Sequence, residues 1–314
     1  MERLNPKTRE YIADASIFLI SIIWGSTYIV VKQVIEDIPV FAFLTLRFGL
    51  AAIFLLFISH KKLAQIRLKG LANGILLGTV LFLTFAFQTL GLKYTAASVT
   101  AFITGLYVVF VPIFSSVLLK KRPHICSLTG VFLSGVGLAF ITLNGKMGLS
   151  MGEALVFMCS IFCSLHIILT DAYSRKNDVL LLTTIQICVI FMLSCLTSLV
   201  YEPFTLPETW NSQLIFAVFL MGIFATVLTF LVQTGMQKHT TPTKAAIIFS
   251  MEPVSSVFFG YAIAGEVLTS QQYLGAALII AAMLVSEIGT YIRISAEAWV
   301  RTVFARKIKT PSEP

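Results

Sequence analysis

Charge is scarce in this sequence: Asp, Glu, Lys and Arg make up 12% of its 314 residues, against roughly 25% in a soluble globular protein. With 57% of residues hydrophobic, the chain cannot build an ordinary water-facing surface, which excludes a soluble enzyme or binding domain. There are only four histidines, and no H-E-x-x-H or similar ligand spacing occurs, which disfavours a membrane-embedded metal hydrolase. No Walker A sequence and no polar stretch long enough to fold a nucleotide-binding domain is present, so ATP is not the expected energy source and no cofactor is expected. The five cysteines, Cys126, Cys159, Cys163, Cys188 and Cys195, lie in or beside apolar runs, where a thiol acts as a small hydrophobe. Cys159, Cys163 and His166 share a helical face at spacings of four and three, a set able to hold a soft metal. No second acidic or thiol cluster accompanies them, so packing is the better reading and no metal is expected.

What the chain does have is long apolar runs. A bilayer core takes about 20 mostly apolar residues per helix. Ten such runs fit, near 11–31, 39–59, 70–91, 96–119, 126–143, 153–171, 180–200, 212–236, 243–264 and 272–292. The fold class is therefore an all-α membrane protein with ten transmembrane helices. The first run is longer than the apolar region of a signal peptide and has no small-residue cleavage site after it, so it reads as a retained span.

Lysine and arginine sort into alternate loops. With the N-terminus inside, cytoplasmic segments hold 19 of the 23, including Lys61, Lys62, Arg67 and Lys69, then Lys120, Lys121 and Arg122, then Arg293 to Lys309. The opposite loops hold Lys32, Lys93 and Lys146, while Arg47 lies within a span. This follows the positive-inside rule with both termini cytoplasmic and an even number of spans. The net charge of +8 thus reads as topology in a cell (inner or plasma) membrane and contact with anionic lipid, not as a nucleic-acid surface.

The sequence also repeats itself. Residues 83–89, LTFAFQT, and 228–234, LTFLVQT, share five of seven residues at an offset of 145. The same offset, without a gap, pairs Lys93 with Lys238, Thr95 with Thr240, Ala101 with Ala246, Ile103 with Ile248 and Gly130 with Gly275. Each half then holds five spans. Because five is odd, the second half enters the membrane from the opposite side, the inverted-repeat architecture of many secondary transporters. Gly70, Gly74 and Gly78 on the third span, and Gly130 with Ser134 on the fifth, are small-residue faces suited to close helix packing.

Polar groups within these runs are the candidate site. A charge at helix centre costs about 2.5–3.5 kcal/mol on the insertion scale, so each needs a reason. Glu252 lies near the middle of the ninth run and Arg47 within the second; pairing the two would lower the cost of both, or either could face a water-filled cavity. Glu252 reads as a partner for a substrate ammonium or a proton, or else as an interhelical hydrogen-bond acceptor. Pro253 beside it removes a backbone donor and predicts a kink. At the repeat offset Tyr107 corresponds to Glu252, and at an offset of 138 Trp24 corresponds to Phe162 and Tyr28 to His166. Trp24, Tyr28 and Tyr107 can stack on an aromatic or cationic substrate, or pack against core or lipid. His166 can exchange a proton or be a satisfied hydrogen-bonding residue. Thr104, with Ser26 and Thr27, can bond a substrate or a carbonyl of its own helix. Gln88 and Gln233 are repeat partners near helix ends, which suits gates better than substrate ligands.

Several motifs in order, WGSTYIVVK (Trp24 to Lys32), LRF (Leu46 to Phe48), TGLYVVFVP (Thr104 to Pro112), EP (Glu252, Pro253) and GE (Gly265, Glu266), give the chain its resemblance to EamA-type members of the drug/metabolite transporter superfamily. The resemblance covers essentially the whole chain and implies ten helices in two inverted repeats, over 11–143 and 153–292, with a basic cytoplasmic tail at 293–314. It also implies transport of amino acids, related metabolites or drugs, usually outward. One departure is Lys120 and Lys121 in the first repeat where the second has Gly265 and Glu266, so the halves need not gate alike. The expected function is a secondary exporter of small organic molecules and not an enzyme, with a monomer sufficient and a homodimer compatible. The alternative is an organic-phosphate or nucleotide-sugar antiporter. It needs several basic residues in the cavity, and only Arg47 and, at the cytoplasmic edge, Lys244 are available. A structural or sensory membrane protein is disfavoured by the inverted repeat.

Overall fold

The computed structural model describes residues 5–118, 125–142, 149–202, 212–282 and 284–285, and these form helices with no strand among them. In chain order they are α1 (Pro6–Asp37), α2 (Val40–Ser59) with a 3₁₀ turn (His60–Gln65), α3 (Leu68–Leu92), α4 (Ala97–Thr104), α5 (Tyr107–Leu118), α6 (Ile125–Thr142), α7 (Met151–Ser174) and α8 (Val179–Tyr201). A continuous stretch follows of α9 (Ser212–Phe219), a π-helix (Leu220–Leu228) and α10 (Thr229–Gln237), then α11 (Pro242–Phe249) and α12 (Met251–Ala264). Residues 270–282 form α13. Among the described residues, eight helical stretches are long and apolar enough to cross a membrane. The fifth expected span contains a shorter apolar helix, Leu128–Phe140, and α13 occupies the start of the tenth. Lys120, Lys121, Lys146 and the basic tail at 293–314 lie outside the described residues.

Burial is arranged for lipid. Phe57 and Phe132 point outward at 73% and 72% exposure, whereas Arg47, His166, Gln186 and Glu252 are buried inside. Water would penalise such large exposed rings, and a bilayer does not. Side-chain caps close the starts of several helices. Asn5 accepts from the Lys7 amide at the start of α1, and Ser150 with Glu153 closes a capping box on α7.

Two spans are interrupted at matching places. α4 ends at Thr104 and α5 starts at Tyr107; α11 ends at Phe249 and α12 starts at Met251, so the breaks coincide at the repeat offset of 145. The kink expected at Pro253 is present just ahead of it, because proline lacks the N–H that would continue the helical bonding back to Phe249. The break in α4–α5 precedes Pro112, which lies inside α5.

Contacts at the helix ends fix the directions. Lys62, after α2, pairs with Asp178 at the start of α8, and Glu202, after α8, accepts from the Phe41 and Ala42 amides at the start of α2. Helices α2 and α8 therefore run antiparallel. Glu266, after α12, likewise accepts from the Ala97 and Ser98 amides at the start of α4. Interhelical packing exchanges in the same sense: α1 lies on α11 and α12 while α7 lies on α4 and α5, and α3 lies on α7 while α10 lies on α1. The close approaches depend on glycine. A Cβ at Gly74 would meet the Ile185 side chain at 2.5 Å, and one at Gly78 would meet Val189 at 2.6 Å, so this face lets α3 and α8 pack backbone to side chain.

Candidate functional site

Near the middle of the bundle the helices leave a cavity of about 70 Å³, measured as space for the centre of a water-sized sphere. Its wall draws on α1, α2, α3, α4, α5, α7, α10, α11 and α12. Each substrate residue expected from sequence lines it: Trp24, Tyr28, Arg47, Thr104, Tyr107, His166 and Glu252. Gln88 and Gln233 line it as well.

Glu252 stands in the first turn of α12, immediately after the helix break, at 7% exposure. The Tyr28 hydroxyl donates to its Oε1 at 2.6 Å, and the Tyr107 hydroxyl donates to its Oε2 at 3.1 Å. Gln88 Nε2 in turn donates to the Tyr28 oxygen at 2.9 Å. The result is a chain of four polar side chains from α1, α3, α5 and α12. In it a carboxylate of the second half is held by two hydroxyls of the first. Such bonds to a charged acceptor are about twice as strong as neutral ones.

Arg47 and Glu252 do not pair, contrary to the pairing considered from sequence. Arg47 Nε donates to Thr226 Oγ1 at 2.9 Å and Nη2 to the Ala225 carbonyl at 3.3 Å. Its guanidinium also lies 5.3 Å and 4.9 Å from the Phe48 and Phe85 ring centroids. Both Ala225 and Thr226 lie in the π-helix. The Ala225 carbonyl also accepts from Trp24 Nε1 at 3.2 Å and from Thr229 Oγ1 at 2.8 Å, and π-helical turns recur at functional sites. Trp24 Nε1 further donates to Thr229 Oγ1 at 3.1 Å.

The remaining candidates divide. His166 Nε2 is hydrogen-bonded to Gln186 Oε1 at 3.1 Å, with Thr170 at 3.4 Å. Thr104 Oγ1 lies 3.9 Å from Cys159 Sγ. Ser26 and Thr27 donate to carbonyls of their own helix, Ile23 and Trp24. Phe162, the repeat partner of Trp24, stacks on Phe87 at 5.6 Å and is not in the wall. No group of three metal-ligating side chains occurs among the described residues.

Gln88 and Gln233 each sit four residues before their helix ends, yet both face the cavity. Those two ends lie on opposite faces of the bundle. Beyond α3, Thr95 accepts from Lys32; beyond α10, the Thr240 carbonyl accepts from Arg175 at 3.0 Å, next to the Lys62–Asp178 pair.

Sequence reasoning missed Thr84, Phe85, Phe230 and Phe249 as cavity residues, along with Thr226. The signal for part of this wall was already visible. The repeated LTF-x-x-QT segment contributes Thr84, Phe85, Gln88 and Thr89 from one copy and Phe230 and Gln233 from the other.

Comparison with known proteins places the chain among transporters. The model of the EamA-like transporter family matches residues 11–143 and again 150–287. An uncharacterized transporter of Archaeoglobus fulgidus is 35% identical over 279 residues, covering 87% of this chain and 85% of that protein. The uncharacterized transporter YoaV of Bacillus subtilis is 25% identical, covering 84% and 92%. A solved crystal structure at 17% identity shares the fold with a TM-score of 0.63, covering 94% of this chain and 98% of its own.

Proposed function

Because the chain belongs to the EamA-like transporter family and is a multi-pass membrane protein, we propose that it is a secondary carrier exporting small organic solutes across the cell membrane by alternating access. Two five-helix units of opposite orientation, 11–143 and 153–292, rock against each other with both termini in the cytoplasm. The observation that carries this reading is the cavity wall. Both copies of one sequence repeat line the same space, beside two helices broken at equivalent positions. Discontinuous helices meeting at mid-membrane are where inverted-repeat carriers hold their cargo.

In this reading Trp24, Tyr28, Arg47, Thr104, Tyr107, His166 and Glu252 form the substrate site, and Gln88 and Gln233 gate its two ends. Glu252 is the responsive centre, since a solute that competes for its oxygens releases Tyr28 and Tyr107 and so loosens the contact between the halves. The wall is complete within one chain, so a monomer suffices. With no ATP site, an ion gradient or substrate exchange drives transport. The phosphate-antiporter alternative gains no support: Lys244 is engaged by Glu10 and Asp14, each at 2.6 Å, and does not line the cavity.

Purified protein in liposomes, offered a panel of labelled amino acids, metabolites and drugs, provides the test. At least one solute should enter faster than into protein-free liposomes, and Glu252→Gln should alter its rate or pH dependence. A panel that never enters contradicts the carrier reading. Uptake unchanged in Glu252→Gln at every pH removes Glu252 from the site.

A further inference from the structure

The two charged side chains of the cavity are not in equivalent situations. Both oxygens of Glu252 already accept a tyrosine hydroxyl. Arg47, at 3% exposure, takes part in none of the ion pairs of the described residues. Two of its nitrogens are anchored to Thr226 and Ala225, while Nη1 makes no hydrogen bond among the described residues, on a side chain that lines the cavity. Phe48 and Phe85 lie against the guanidinium and soften its isolation without supplying a counter-charge. A second group is also left waiting. Gln233, at 2% exposure, lines the cavity with its carbonyl Oε1 unpartnered.

A buried polar group is normally satisfied, and a buried cation normally has an anion beside it. An exception in a cavity wall marks where a ligand supplies what the protein withholds. We infer that the substrate carries a carboxylate, bound at Arg47 through Nη1, and a hydrogen-bond donor that reaches Gln233, with an apolar or aromatic body against Trp24, Phe230 and Phe249. This deepens the carrier reading and rests on it. A single guanidinium with one free nitrogen suits a monoanionic carboxylate better than a phosphate, which calls for several basic groups. The anchoring of Nε and Nη2 fixes the fork, so the free nitrogen is preorganised and little rotamer freedom is lost on binding.

The test uses four probes that share a phenyl ring and a hydroxyl donor: 3-phenyllactate, its neutral amide, 1-amino-3-phenylpropan-2-ol and 2-hydroxy-3-phenylpropyl phosphate. Each is titrated into purified full-length protein while the melting temperature is followed, because a ligand of the folded state raises it, and each is offered to liposomes containing the protein. The acid should stabilise the wild type saturably, with at least ten-fold weaker effects from the amide, the amine and the phosphate. Arg47→Lys, which keeps the charge and loses the fork, should weaken the acid at least ten-fold, as should Arg47→Gln. If Arg47→Gln does not fold, the contrast between acid and amide in the wild type decides. An inert acid, an amide, amine or phosphate that binds as well, or acid binding unchanged in Arg47→Lys overturns the assignment. Should uncharged or cationic solutes cross the liposome membrane while the acid does not, the assignment fails and the carrier stands. Should no solute of any class cross, the carrier reading itself fails.

Discussion

Gly25 is where a single methyl group has the largest readable consequence. It sits on α1 against α12, and a Cβ there would lie 2.4 Å from the Glu252 carbonyl oxygen, 2.5 Å from Ser255 Cβ and 3.0 Å from the Ser256 nitrogen. Two of these three atoms are backbone and cannot rotate away. Comfortable contact needs about 3.5 Å, so the helices must part by about 1 Å. That movement carries Glu252 away from Tyr28, one turn along α1, whose bond to it spans 2.6 Å. Overpacking of this kind costs about 1–3 kcal/mol. Gly135 in α6 supplies the control, because a Cβ there meets nothing within 4 Å, and alanine in a helix interior gains about 0.5–1 kcal/mol over glycine. In thermal melting of detergent-purified protein, Gly25→Ala should melt below wild type and transport poorly. Gly135→Ala should melt at or above wild type and transport normally. Two variants that behave alike, or a Gly25→Ala protein as stable and active as wild type, would refute the close α1–α12 packing.

Three further outcomes follow from the geometry. Tyr28→Phe removes two hydrogen bonds and Tyr107→Phe one; each should destabilise by about 1–3 kcal/mol, and a double-mutant cycle of either with Glu252→Gln should show a coupling of about 0.5–3 kcal/mol, against zero if the residues do not touch. Glu266→Gln replaces an acceptor of two amides and the Ser98 hydroxyl by a group with one acceptor oxygen, and should lower stability by about 1 kcal/mol in denaturation. Burial raises the Asp178 carboxyl, but hydrogen bonds from Lys62 and the Leu181 amide outweigh it and hold the group below its usual value; the stabilisation is therefore present at neutral pH and lost in acid, below about pH 4. The melting temperature of wild type should accordingly fall more steeply with acid than that of Lys62→Gln, modestly because the pair is exposed, and parallel curves would contradict it.

The parts of this molecule dictated by the solvent were legible in the sequence. Apolar helices of bilayer length are forced on any chain that must satisfy its backbone within lipid. The cavity residues were legible for a related reason, since charged and aromatic polar groups at mid-span have no business facing hydrocarbon. Partnerships were not. Charge alone left open whether Arg47 and Glu252 pair or face a cavity, and the structure shows two hydroxyls from α1 and α5 reaching the carboxylate and a π-helix offering the guanidinium a carbonyl and a hydroxyl. No periodicity in LMGIFATVL announces that π-helix, because its hydrogen-bond register depends on what packs against it. The break at Gly105 and Leu106 was hidden for the same reason, although its counterpart was anticipated from Pro253. Glu202 was passed over altogether as an interfacial charge, and its role in capping α2 appears only once the two helices lie antiparallel.

Cys163 allows the central claim to be tested without altering the cavity, since it lines the wall already. With Cys126, Cys159, Cys188 and Cys195 replaced by alanine, a membrane-impermeant maleimide is applied to intact cells and, separately, to inverted membrane vesicles. Alternating access predicts that Cys163 is modified from either face and that a transported solute slows both reactions. Modification from one face only, or from neither, would contradict a pocket that opens to each side in turn.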